Sequence, residues 1–173
     1  AGACLAPWNV PFATGISDPI PALIAGHGVV LTPDHKTALS PLLGIRLLEK
    51  AGMPVGLVQV ICGEGPDVGG PLLANADYVM FTGSTRVGRE VAARCGARLI
   101  SCSLELGGKN AMIIRPDADV GRAAQIATRA RFAHSGQLFI PRGRPTGRRP
   151  VTAHSPPPPL RPPRALRLPA PGR

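Results

Sequence analysis

Short apolar runs separated by helix-patterned segments constrain this chain more than any other feature. The runs cover residues 3–6, 29–31, 57–61, 78–81 and 99–104. Continuous apolar runs of this length read as strands buried on both faces. Between them, residues 37–51 place Leu39, Leu42, Leu43, Leu47 and Leu48 on a helical stripe that Gly52 and Pro54 close. Residues 85–95 form a shorter helical segment ending at Gly96. A further strand (111–114) and helix (119–134, with Asp119 as N-cap) follow. Buried strands alternating with helices demand a parallel sheet covered on both faces. The expected fold class is therefore α/β, a doubly wound parallel sheet of the dinucleotide-binding kind. That architecture alone fits many functions.

The 173 residues carry a formal charge of +10, which would suggest an acidic partner if it were spread evenly. Residues 1–140 hold 12 Lys+Arg against 10 Asp+Glu, whereas residues 141–173 hold eight arginines, no acid and 11 of the 21 prolines. A nearly neutral body thus precedes a basic tail. The tail has no apolar periodicity, and its prolines at 156–159 and 162–163 oppose helix and sheet, so it is expected to be disordered with polyproline II character. Three readings of it stay open. Eight arginines could contact phosphates, but no aromatic or lysine interleaves them. Pro156, Pro159 and Arg161 fit the P-x-x-P-x-R pattern of SH3 ligands, a match that any Pro/Arg-rich segment produces. The favoured reading is a change of reading frame in GC-rich DNA, so binding of nucleic acid or SH3 domains by the tail is not expected.

Cys4, Cys62, Cys95 and Cys102 have no C-x-x-C spacing and no nearby His pair, which argues against a metal site or a disulfide framework. All four are expected to be free, reduced and structural. Cys4 and Cys62, lying in apolar runs, are expected to be buried. With no run of about 18 apolar residues and no charged leader before a long apolar core, a membrane association is not expected and a cytoplasmic body is.

Two glycine-rich turns follow strands, at residues 63–69 and 83–88. Glycine lets backbone amides approach a phosphate, and a helix N-terminus favours the anion. Neither turn reproduces G-x-G-x-x-G, and tight strand-to-helix turns need glycine in any case.

Five motifs stand in order along the chain. They are P-W-N-V-P from Pro7, A-G-x-P-x-G from Ala51 running to Gly63, F-T-G-S-T from Phe81 with Val87 and Gly88, L-E-L-G-G-K-N from Leu104, and S-G-Q-L from Ser135. Together they resemble the aldehyde dehydrogenase superfamily, with a weaker likeness to its succinate-semialdehyde branch. The resemblance implies an NAD(P)-dependent oxidoreductase that oxidises an aldehyde to a carboxylic acid in an oligomeric enzyme. Asn9 then matches the amide that steadies the oxyanion, worth about 3 kcal/mol in comparable sites. Glu105 matches the general base that activates the thiol and the hydrolytic water. For the cofactor, NAD or NADP, the resemblance implies Gly83 and Ser84 at the pyrophosphate, Val87 at the adenine, and Leu106 with Gly107 at the nicotinamide. It also assigns Leu5, Ala6, Trp8, Thr32, Gly65 and Gly69 to the cofactor cleft.

The departures matter as much. Thr32 stands where the family has a ribose-binding lysine, and His35 replaces the residue three positions on, where an acidic or small side chain is usual. His35 is expected to be simply solvated unless it meets a 2′-phosphate. Phe139 stands where the cysteine nucleophile is expected, and a phenyl ring offers no nucleophilic atom. The resemblance implies residues 1–109 as a partial NAD(P)-binding domain and 110–140 as the opening strand and helix of a truncated catalytic domain, with 141–173 as tail. On this reading the chain is a fragment, catalytically dead and not competent to oligomerise. The alternative is a non-catalytic nucleotide-binding module with a basic, Pro-rich interaction tail.

Overall fold

The computed structural model describes residues 1–108 and 110–137, together with the backbone of residues 142–147. It divides into two compact units, Ala1–Gly108 and Lys109–Arg173.

The first unit is built on five parallel strands: β1 (Gly2–Ala6), β2 (Val29–Pro33), β3 (Val58–Val60), β4 (Tyr78–Gly83) and β5 (Ser101–Leu106), in the order β3-β2-β1-β4-β5. Parallel neighbours need crossovers, and helices α1 (Pro11–Ser17), α2 (Ile20–Ile24), α3 (Leu39–Lys50), α4 (Gly65–Asn75) and α5 (Thr85–Ala97) supply them. The doubly wound α/β expectation holds.

Strand periodicity divides the core in two. From β1, Ala3 and Leu5 join Val79, Phe81, Leu73, Val91 and Cys95, with α4 and α5. Cys4 and Ala6 point the other way, to Val29, Leu31, Val58 and Ile45 of α3. Leu31 and Val79 are completely buried, each worth about 1.5–3 kcal/mol against exposure. Helix α1 reaches α3 through glycine: a Cβ on Gly44 would stand 2.3 Å from Ile16 Cδ1, and one on Gly15 2.7 Å from Pro41 Cβ.

That close approach corrects the expected stripe on α3. The buried residues are Pro41, Gly44 and Ile45, whereas Leu39, Leu43 and Leu47 are exposed. Leucine counts favour the wrong side because the real contact face is made of small residues. Three other expectations shift. The strand expected from Leu99 starts at Ser101, because Leu99 takes φ +56° to close α5 and is 94% exposed. The glycine turn at 63–69 is largely helix, since Pro66 near the N-terminus and Asp67 in the first turn start α4 at Gly65. Cys62, expected buried, is exposed because β3 has already ended at Val60.

In the second unit, β6 (Asn110–Ile114) leads to α6 (Val120–Phe132), where Asp119 accepts from the Arg122 amide at 2.9 Å as the N-cap. β6 pairs in parallel with β7 (Arg142–Gly147), which lies in the segment expected to be disordered. Pairing runs through the backbone, so an edge strand accepts a sequence with no apolar pattern, a proline included. The remainder of the expected tail, and Phe139, lie outside the described residues. Among the described residues no helix is long and apolar enough to cross a membrane.

Candidate functional site

The strand order reverses between β1 and β4, and in open parallel sheets ligands bind beyond the carboxyl ends of the strands at such a switch point. A cleft of about 490 Å³ opens there. Of the residues singled out in the sequence, Leu5, Ala6, Trp8, Thr32, Gly65, Gly69, Gly83 and Val87 all line it. Asn9, Ser84, Glu105, Leu106 and Gly107 do not.

Two strand-to-helix corners frame the cleft. At the β4–α5 corner, Ser84 is the N-cap, its hydroxyl accepting from the Val87 amide at 3.3 Å. The corner is tight. A Cβ on Gly83 would meet the Phe81 ring at 2.6 Å, and one on Gly88 would meet Leu106 Cδ2 at 2.4 Å. Thr85 Oγ1 donates to the Gly107 carbonyl at 3.4 Å, so the end of β5 is tied to the start of α5. Ser84, Leu106 and Gly107 therefore belong to this corner although they do not line the cleft.

At the β3–α4 corner, Glu64 occupies the N-cap without capping. Its carboxylate stands instead 3.3 Å from His35 Nε2, and Asp34 Oδ1 lies 3.8 Å from His35 Nδ1. His35, expected to be merely solvated, thus has two acidic neighbours, of which Glu64 is brought by the fold from another element. Gly65 and Gly69 on α4 have open space where a Cβ would be. Between these features, Thr32 is only 7% exposed and its hydroxyl has no hydrogen-bond partner. Leaving a buried hydroxyl unpaired costs about 1–3 kcal/mol.

Beyond β4 and β5, Thr82 lies opposite Glu105 in the strand register. Thr82 Oγ1 donates to Asp18 Oδ2 at 3.1 Å, and Ser17 Oγ to Asp18 Oδ1 at 3.2 Å. Burial raises the proton affinity of the Asp18 carboxyl, the two hydroxyl donors lower it, and the Glu105 charge raises it. Burial, and secondarily Asp18, pushes the Cys4 thiol up to about 12. Glu105 is exposed at the end of β5. Asn9 is half-buried one residue after Trp8.

Sequence reasoning missed Asp18, Glu64, Arg86, Glu90 and Arg94. The last three line the cleft from α5, where the i,i+4 spacing of Arg86 and Glu90, an ion pair at 3.0 Å, was the available signal. Glu64 carried no local signal, since His35 is remote in sequence, and the same holds for the Thr82 partner of Asp18.

This geometry has counterparts among known proteins. A model of the aldehyde dehydrogenase family matches residues 1–144. A putative succinate-semialdehyde dehydrogenase [NADP(+)] of Mycolicibacterium smegmatis is 51% identical over 136 residues, covering 79% of this chain and 26% of that protein. A 3,6-anhydro-alpha-L-galactose dehydrogenase of Streptomyces coelicolor is 45% identical over 138 residues, covering 79% and 28%. Among solved structures, the betaine aldehyde dehydrogenase of Staphylococcus aureus in complex with NAD+ superposes with a TM-score of 0.81 at 30% identity, covering 88% of this chain and 30% of that one. The succinate-semialdehyde dehydrogenase of Burkholderia pseudomallei gives 0.79 at 33%, covering 84% and 30%. The chain spans about a quarter of the length of the curated relatives it matches. Fold, motifs and relatives agree, and the chain belongs to the aldehyde dehydrogenase family.

Proposed function

We propose that residues 1–108 form a nicotinamide-dinucleotide site of the aldehyde dehydrogenase kind and that this chain, as it stands, binds the cofactor without oxidising aldehydes. The observation that supports the first half is the cleft at the switch point, with eight of the residues expected at the cofactor lining it. The open glycines Gly65 and Gly69 leave room for close backbone approach. When bound, the nicotinamide would accept hydride from the aldehyde carbon.

The roles of this chain's own residues follow from their chemistry. The Asn9 amide donates hydrogen bonds and suits an oxyanion. The Glu105 carboxylate, exposed beside Gly107 and Gly108, can take a proton from a thiol or a water. In this chain Phe139 stands at the nucleophile position, so neither group has a thiol to serve. Loss of a catalytic nucleophile costs on the order of 10⁶ in turnover. For the longer relatives' activity, we propose a small aldehyde as substrate, with the names of the most similar relatives favouring a semialdehyde that carries a carboxylate.

Thermal unfolding with added NAD+ or NADP+ tests the reading. At a ligand concentration 100 times Kd, binding to the folded state adds about 2.7 kcal/mol and raises Tm. No shift with either dinucleotide at millimolar concentration would sink the cofactor site. Aldehyde-dependent NAD(P)H production by the unaltered chain would sink the claim of inactivity.

A further inference from the structure

Helix α5 and strand β5 meet through sulfur. Val91 and Cys95 lie one turn apart on the face of α5 that packs on the sheet, and both are almost completely buried. On β5, Cys102, Leu104 and Leu106 alternate along the strand and pack against the same cluster. The connection between the two elements is tight. The amides of Arg98 and Ile100 both donate to the Cys95 carbonyl at 3.1 Å, and Leu99 turns the chain at φ +56°. The end of the helix is thereby folded back on the start of the strand, and the Cys95 and Cys102 side chains are hydrogen-bonded to each other. Because β5 is the edge strand of the sheet, Cys102 is half-buried, whereas Cys95 is only 1% exposed. The Arg98 guanidinium is fixed near the pair, donating to the Leu73 and Ala76 carbonyls at 2.7 and 2.6 Å.

We propose that Cys95 and Cys102 form a redox-active thiol pair, closed to a disulfide by a peroxide and reopened by a small-molecule thiol. Neither residue lines the dinucleotide cleft, so the pair is independent of the cofactor reading. Burial, and then the neighbouring Cys102, hold the proton on Cys95, while Arg98 acts the other way. Cys102 is the more accessible sulfur and reacts first. Its thiolate attacks the peroxide: an S–O bond forms, the O–O bond breaks and hydroxide leaves, giving a sulfenic acid. That hydroxide takes up the proton Cys102 gave to solvent. The Cys95 sulfur then attacks the Cys102 sulfur, forming the S–S bond and breaking the S–O bond. The departing oxygen leaves as water with the Cys95 proton. Two thiols have lost two electrons, and the peroxide has become two waters. Closure brings the sulfurs from contact to about 2.05 Å and ties the end of α5 to the start of β5. Cys4 packs in the other core cluster and Cys62 is exposed on another segment, so both serve as internal controls.

The test is mass spectrometry of the full chain after hydrogen peroxide, with remaining thiols alkylated in urea and the product cut by trypsin. Cleavage after Arg94, Arg98 and Lys109 places the two cysteines on separate peptides, residues 95–98 and 99–109. The expected result is these two peptides joined, separable by dithiothreitol, with Cys4 and Cys62 still alkylated. In Cys95→Ser the Cys102 sulfenic acid has no resolving thiol, so dimedone should trap at least about tenfold more of it than in the unaltered chain. The cross-linked chain should also melt at a higher Tm than the reduced one. Absence of the joined peptides while Cys62 oxidises would overturn the proposal. So would an equal yield from chain unfolded in urea, since the pairing would then owe nothing to the fold. A lower Tm on cross-linking would overturn it as well, because the bond would then form only from a distorted state. The joined peptides are read on the unaltered chain, so damage to the fold by a substitution leaves that result intact.

Discussion

The two corners of the cleft reach the same topology by different means. At the β4–α5 corner everything is closed: Ser84 caps the helix, and Gly83 and Gly88 are pressed against Phe81 and Leu106. At the β3–α4 corner the N-cap side chain is diverted to His35, and Gly65 and Gly69 face open space. The first corner is a packed joint that holds the helix against the sheet. The second keeps unspent polar capacity and room, which is what a ligand requires.

The largest blow to this contrast would be Gly88→Val, whose Cβ starts 2.4 Å from Leu106 Cδ2. A loss of about 2 kcal/mol is expected from overpacking, read as a lower midpoint in urea with little change in slope. Ser84→Ala removes the cap and should cost about 1 kcal/mol in the same assay. The opposite sign is expected at the open corner. Gly69→Ala meets nothing within 4 Å and replaces a helix-interior glycine, so it should stabilise by about 0.5–1 kcal/mol. If Gly69 is kept for close approach of a ligand, that variant will be more stable and bind dinucleotide less tightly. A destabilised Gly69→Ala would break the comparison.

Smaller still is Glu64→Gln, expected to change stability by less than about 0.5 kcal/mol because the pair with His35 is exposed. A pH series tests Asp18, which lies by the other corner, hydrogen-bonded to Thr82. Burial holds the Asp18 proton more tightly in the folded chain than in the unfolded one. The folded state then binds more protons, so the contribution of Asp18 to stability is present at low pH. It declines as pH rises from the ordinary carboxylate range through the raised folded value. Asp18→Asn should remove that slope from a series of urea midpoints. An unchanged slope in Asp18→Asn would show that the carboxyl ionises as freely folded as unfolded.

Much of the closed corner was legible in the sequence, because its determinants are local. Ser84 and the glycines around it are within five residues of one another, and N-cap and tight-turn chemistry act at that range. The same is true of Asp119 at the start of α6 and of the buried strands, whose apolar runs are self-evident. The misreadings share a different cause. Leu39, Leu43 and Leu47 were expected inside, but Gly15 against Pro41 and Gly44 against Ile16 let α1 approach the other side of α3. No hydrophobicity pattern announces a contact made by the absence of a side chain. Leu99 was read into β5, yet the helix end needed a residue in the left-handed region there.

The sequence by itself determined the alternation of elements, the parallel sheet and the family, all properties of local pattern or of motifs in order. Only the tertiary structure decided which of them meet. It set Glu64 against His35, 29 residues away, and Thr82 against Asp18, 64 residues away, and it left the Thr32 hydroxyl without a partner. Those juxtapositions depend on strand order and helix approach, and a linear chain encodes them only through the summed packing of the whole sheet.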